Sequence, residues 1–128
     1  MQNKYLHFVK LYGDFENNLG PHAVQILKEL TNSIKYENYL TIVILSATLF
    51  DIIKNENSEA IKSLSGIEIN SVFSSREAMW LRQRRNEIIH HEGATDGLLG
   101  SKSDITDLSL DAKKSIKILY DLLLLILK

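Results

Sequence analysis

The sequence predicts an all-α protein, an up-and-down bundle of four to five helices that forms one domain over residues 1–128. Apolar residues recur at three- and four-residue spacings along most of the chain, as on one face of an amphipathic helix. One proline and six glycines are too few for a loop-rich β-sandwich. The 128 residues, 45% of them hydrophobic and 24% charged, can hold one core and are typical of a folded globular protein.

The first half of the chain is predicted to form three helices. Apolar spacing predicts the first from about residue 3 to 17. Gly20-Pro21 is a break, and a second helix is expected to start there because proline suits a first helical turn. Tyr39 to Ile53 is apolar on nearly all sides, which is typical of a central helix. Its β-branched residues also permit a strand, but its length and the absence of a partner strand favour a helix.

The second half is predicted to contain two further helices and a loop. Ser74-Ser-Arg-Glu77 has a capping-box pattern, with Ser74 as the N-cap of a helix that runs to about His91. Gly93 is expected to cap its end, and Gly93 to Ser103 is expected to be an exposed loop. Ser109 is the expected N-cap of a last helix over 110–127. Residues 58–64 are expected to form a short helix after a polar turn.

Composition excludes several classes of function. The chain has no cysteine, which excludes disulfides, thiolate metal sites and a cysteine nucleophile. A net charge of −1 excludes a uniformly basic nucleic-acid-binding protein, although a local basic patch is still possible. No signal-peptide pattern is present, and the run Ile118 to Leu127 is too short to span a bilayer. We expect a cytoplasmic protein with no membrane contact.

All arginines of the chain lie within ten residues, and two histidines follow directly on the same predicted helix. They are Arg76, Arg82, Arg84, Arg85, His90 and His91. A guanidinium presents a planar fork that matches phosphate oxygens. The cluster is interpreted as a phosphate site with a titratable group, and the alternative is a solvated basic helix face.

Helix geometry separates these residues into faces, since successive residues turn by about 100°. The apolar arc consists of Ala78, Leu81, Ile88 and Ile89, and Arg85 falls near its middle. The neighbouring stripe consists of Arg82, Asn86 and His90. The side expected to be more exposed to solvent consists of Gln83, Arg84, Glu87 and His91.

The charge of Arg85 needs either an acidic partner or access to solvent or an interface, because an unpaired buried charge is very costly. It could pair with a buried acid, extend to the surface, or face a subunit interface or cleft. Asp51 is the candidate acid, since it interrupts the apolar run Leu49-Phe50-Asp51-Ile52-Ile53. A merely surface-pointing Asp51 is the equally weighted alternative.

The segment Arg85-Asn86-Glu87-Ile88-Ile89-His90 resembles the RNxxxH form of the Rx4-6H motif of the HEPN superfamily. The preceding arginines and the following Gly93 are similar to its usual context. The resemblance covers the whole chain, because HEPN domains are all-α bundles of about this length. It implies a metal-independent endoribonuclease, with no cofactor or metal, of the kind found as toxins of toxin–antitoxin pairs and in antiviral defence.

The resemblance also implies roles for individual residues. Arg85 and His90 would be the catalytic pair, Asn86 the polar residue after the arginine, and Asp51 the acid of the preceding helix. Arg76, Arg82 and Arg84 would guide the RNA backbone. The expected partners are RNA, a second copy of the chain and an antitoxin protein.

A homodimer is expected because Arg85 and His90 are about 140° apart on an ideal helix. A two-fold axis would bring both motifs to one cleft. His91 lies within about 20° of Arg84, so Arg84 with His91 is a second possible pair.

Other functions remain open at this point. His90-His91-Glu92 lacks the H-E-x-x-H spacing of zinc helices, which disfavours a metal site. Trp80 could stack a base, although core or interface packing is the commoner role. The leading rival is a non-catalytic dimeric adaptor, favoured if Arg85 is wholly buried against Asp51 and His90 faces bulk water. A plain helical bundle with chance similarity is the third reading.

Overall fold

The computed structural model describes residues 19–56, 71–90 and 102–127. Four helices lie wholly within these residues: α1 (Pro21–Lys35), α2 (Tyr39–Asn55), α3 (Arg76–His90) and α4 (Lys102–Leu127). Residues 71–73 are helical as well. This confirms the predicted all-α bundle. The helices predicted at 3–17 and 58–64 lie outside the described residues, as do His91, Gly93 and the loop predicted after it up to residue 101.

Helix α1 begins where the sequence predicted and has a defined cap at each end. Pro21 occupies its first turn, and the backbone N–H of Gly20 donates to Oε2 of Glu56 at 3.0 Å. At the other end, Glu37 has a φ of 55°. Its N–H reaches the carbonyl of Ile34 at 3.2 Å, and the N–H of Asn38 reaches that of Ser33 at 2.9 Å. These two bonds form a Schellman motif with Glu37 in the left-handed position.

Helix α2 is the central helix, as its nearly all-round apolar sequence predicts, and it packs against α1, α3 and α4. The largest side chains of the core come from all four helices: Leu27, Leu30, Ile42, Leu49, Phe50, Ile53, Leu81, Ile116, Leu119 and Leu122. Phe50 meets Phe73 edge to face, with ring centroids 5.3 Å apart. This pair ties the helical residues 71–73, just before α3, to the C-terminal half of α2.

Helix α3 is capped one residue later than predicted. It begins at Arg76, and the hydroxyl of Ser75 accepts the N–H of Ala78 at 3.2 Å. Ser75 therefore takes the N-cap position that the capping-box pattern assigned to Ser74. The two adjacent serines have equal capping propensity, so the sequence could not separate them.

Helix α4 begins at Lys102, and the prediction of a loop up to Ser103 with Ser109 as N-cap is therefore wrong. Leu108, Ala112, Ser115 and Leu119 continue one three- and four-residue spacing across Ser109, so the helical pattern extends upstream. The Ser and Asp residues near its start resemble a loop in composition and concealed that pattern. Within the described part of the chain, no helix has the length and apolar character needed to cross a membrane.

Candidate phosphate-binding site on helix α3

Asp51 joins two arginines of α3 to helix α2. Arg85 donates from Nη1 to Oδ2 of Asp51 at 2.7 Å, and Arg82 donates from Nε to Oδ1 at 3.1 Å. The side chains are partly exposed, at 20% for Arg85 and 29% for both Arg82 and Asp51. Of the three explanations for Arg85, the structure supports pairing with an acid. Because one-fifth of Arg85 is still accessible, the pair lies at a surface seam between α2 and α3.

Arg82 is fixed by further contacts within the same seam. Its Nη2 donates to the carbonyl of Phe73 at 3.2 Å, and its guanidinium carbon lies 6.0 Å from the centroid of the Phe50 ring. The Phe73 carbonyl lies just before α3, so this bond also orders the entry to the helix. Arg82 therefore has less freedom than a solvated basic side chain.

Arg84 is the most buried arginine, and its predicted place on the more exposed side of the helix is wrong. It is 5% exposed. Its Nε donates to Oδ2 of Asp111 on α4 at 2.7 Å, and its Nη1 donates to Oε1 of Glu87 at 3.2 Å. The physical reason is that α4 covers this side of α3 and supplies a carboxylate. Arg84 connects helices, and we leave it out of any RNA-contacting surface.

The remaining site residues lie on the exposed side of α3. His90, Asn86 and Arg76 are exposed, and so is Ile89 at 52%, although the apolar arc predicted it to be buried. Ala78 and Leu81 of that arc are buried as expected. The helical conformation continues to His90, so the angle of about 140° between Arg85 and His90 applies. The structure thus brings Asp51, Arg82 and Arg85 together and leaves His90 on a neighbouring face.

The electrostatics of the seam favour an anion. Two guanidinium groups share one carboxylate, so the group Asp51, Arg82 and Arg85 carries a net positive charge. Arg85 makes a single hydrogen bond within the described residues and has further N–H groups to donate. A phosphate oxygen at the seam would accept these donors, with the guanidinium orientation fixed in advance by Asp51. Among the described residues no three His, Asp or Glu side chains converge as a cation site.

Sequence reasoning missed two contacts of this region. One is the Arg84–Asp111 ion pair, for which the sequence has no local signal. The spacing of Glu87, three residues after Arg84, predicts only the pair between those two residues on one helix. The other is Lys114 of α4, whose ammonium lies 4.1 Å from the centroid of the Trp80 ring. Both depend on how α4 packs on α3, which local sequence does not encode.

Comparison of the chain with family models, with curated proteins and with solved structures found no match.

Proposed function

We propose that this protein is a metal-independent endoribonuclease of HEPN type that acts as a homodimer in the cytoplasm, as a toxin of a toxin–antitoxin or defence system. The observation that carries the proposal is the ion pair between Asp51 and Arg85. Arg85 lies five residues before His90, and His90 is exposed. Asp51, which the resemblance matches to the acid of the preceding helix, contacts the arginine of the motif. The partners of this proposal are RNA, a second copy and an antitoxin protein.

The reaction uses the RNA's own 2′-hydroxyl as nucleophile. The 2′-oxygen attacks phosphorus, the bond to the 5′-oxygen breaks, and the products are a 2′,3′-cyclic phosphate and a 5′-hydroxyl end. The imidazole of His90 accepts the proton of the 2′-hydroxyl and then returns a proton to the leaving 5′-oxygen. Arg85 donates to the phosphate oxygens as negative charge grows on them, and Asn86 orients the phosphate or the histidine.

The dimer supplies what one chain lacks. Arg85 lies in the α2–α3 seam and His90 on another face of α3, so one phosphate cannot readily contact both within a single copy. A two-fold axis near the end of α3 would set the histidine of one copy opposite the arginine of the other. The exposed Ile89, between these two directions, is an apolar residue that such an interface would cover.

A non-catalytic dimeric adaptor is the second candidate, because three of the four arginines already form ion pairs with acids of the chain. The state that would favour it is an Arg85 wholly buried against Asp51 together with a His90 that faces bulk water. His90 is exposed, as the adaptor requires, but Arg85 retains 20% exposure, which favours the ribonuclease.

The test is a cleavage assay on mixed single-stranded and structured RNA in excess EDTA, with the product ends identified. The parent protein is expected to cut to cyclic-phosphate ends, and His90→Ala to lose at least about a hundredfold, the contribution of a general acid–base group. His22→Ala, at another exposed histidine on α1, is the matched control and should cut like the parent. Dimers that fail to cut any RNA would favour the adaptor, and loss of cutting in EDTA would contradict the mechanism.

A further inference from the structure

A shallow groove of about 460 Å³ lies on α3 and α4, away from the Asp51–Arg85 seam. It is lined by Arg76, Glu77, Met79, Trp80, Gln83 and Lys114. Its volume is within the range of small-ligand sites, about 300–1,000 Å³. Trp80 is the only tryptophan of the chain and lies half-buried between the core and the groove.

The chemistry of the groove combines an aromatic ring with cations. The Lys114 ammonium lies 4.1 Å from the Trp80 ring centroid and is exposed, and Arg76 is exposed at the same groove. Among the described residues that line the groove, Glu77 is the only carboxylate, and with Arg76 and Lys114 they carry a net positive charge. A flat ring beside basic side chains is the combination with which proteins hold single-stranded nucleic acid, the base on the ring and the phosphate on the cations.

The groove and His90 share one face of α3. Gln83 and His90 are seven residues apart, which places them within about 20° around the helix and about 10 Å apart along it. The groove occupies the part of this face nearer the start of the helix, and the exposed Asn86 lies between Gln83 and His90. Trp80 lies ten residues before His90, about 15 Å along the helix, so a strand held at Trp80 and following α3 would reach His90 within a few nucleotides.

We propose that the groove of Arg76, Trp80 and Lys114 binds the single-stranded segment of the substrate next to the cut site, which rests on the proposed function in taking RNA as the substrate. One base displaces the Lys114 ammonium from the face of the Trp80 ring and stacks there, and Lys114 and Arg76 bind the adjoining phosphates. Since the contacts go to the faces of bases and to phosphates, the groove selects unpaired RNA over duplex and has little sequence preference.

The tryptophan itself reports on binding. The probe is a mixed-sequence 2′-O-methyl oligonucleotide of about 12 nucleotides, which lacks the nucleophilic hydroxyl and stays uncut. Titration into the 128-residue protein should quench Trp80 fluorescence, and the same sequence as a duplex should quench it far less. Lys114→Gln should weaken binding at least about fivefold, while Lys28→Gln, an exposed lysine on α1, should bind like the parent.

A second pair of variants separates loss of stacking from a folding defect, because Trp80 also packs against the core. With a fluorescently labelled oligonucleotide, Trp80→Phe should retain most of the affinity and Trp80→Leu should lose at least about fivefold.

Three results would overturn the inference. The first is oligonucleotide binding with no Trp80 quenching and no effect of Lys114→Gln, and the second is no oligonucleotide binding at all. The third is a Trp80 emission shift that depends on protein concentration without RNA, which would assign the groove to a second copy. None of them decides the proposed function, since cleavage and its loss in His90→Ala are measured separately.

Discussion

Nη1 of Arg85 donates to Oδ2 of Asp51 at 2.7 Å, and this contact joins the arginine of the motif to the central helix of the bundle. Arg82 donates to the other carboxylate oxygen. A single acid thereby fixes two guanidinium groups at a partly open seam. Without it, two like charges would lie side by side with no acid from the described residues paired to them, and Arg85 would lose the hydrogen bond that directs it.

Asp51→Asn tests this arrangement. The amide keeps the shape but loses the charge and directs N–H groups at a guanidinium, so we expect a loss of about 1–2 kcal/mol in the free energy of unfolding. Asp121→Asn is the control, because the Lys117–Asp121 pair is exposed at 68% and 61% and should change stability by less than about 0.5 kcal/mol. Equal effects of the two variants in urea unfolding would contradict the role given to Asp51.

Arg84→Met tests the buried connection between α3 and α4. The substitution leaves the carboxylates of Asp111 and Glu87 without the Arg84 guanidinium at a largely covered position, so we expect a loss of about 2–4 kcal/mol. Arg76→Met, at an exposed position of the same helix, should cost less than about 0.5 kcal/mol. Thermal unfolding of both variants measures the difference, and a mild effect of Arg84→Met would show that Arg84 is not held by these acids.

Glu37→Gly is expected to stabilise the protein. Glu37 occupies the left-handed position after α1 with a φ of 55°, where glycine has no Cβ penalty. We expect a gain of about 0.5–1 kcal/mol, reduced slightly by loss of the exposed hydrogen bond from Tyr39 to Glu37. Glu37→Ala keeps a Cβ at this position and should show no gain in unfolding free energy. A higher urea midpoint for both variants would therefore contradict an explanation based on the Cβ.

Tyr39 should make stability depend on pH in the alkaline range. The hydrogen bond to the Glu37 carboxylate raises the pKa of Tyr39 above its ordinary value of 10.0, and partial burial acts in the same direction, while the Ser109 hydroxyl opposes it. A raised pKa stabilises the folded protein while the phenol is neutral. This contribution is complete below pH 10 and is lost as pH rises through the folded pKa.

Comparison with Tyr39→Phe isolates this contribution. The difference in unfolding free energy between parent and variant should be constant from pH 7 to about pH 9 and should shrink above pH 10. A difference that does not change across this range would contradict the link between Tyr39 and Glu37.

Local sequence predicted those parts of the fold that depend on local chemistry. Pro21 marked the start of α1, and the apolar run from Tyr39 identified the central helix. The prediction failed at the start of α4, where a polar composition concealed the continuing helical period. It also failed to choose Ser75 over Ser74 as the N-cap of α3, because the two serines are chemically equivalent.

The contacts of the candidate site were likewise predicted only in part. The Asp51–Arg85 pair followed from two charges that each interrupt an apolar surface, since such charges require a partner. The position of Arg84 could not be predicted, because a helical wheel of α3 does not show that α4 supplies Asp111 to one side of it. The Trp80–Lys114 contact depends on the same packing.

Complementation tests most directly the central claim that Arg85 and His90 of two copies form one site. Arg85→Ala and His90→Ala proteins are each expected to be inactive, and mixing them under conditions of subunit exchange should restore about one quarter of the parent's RNA cleavage. Half of the dimers are then mixed, and each mixed dimer has one intact site of two. Mixed dimers that form, as seen by exchange of tagged subunits, and yet cut no RNA would contradict the claim.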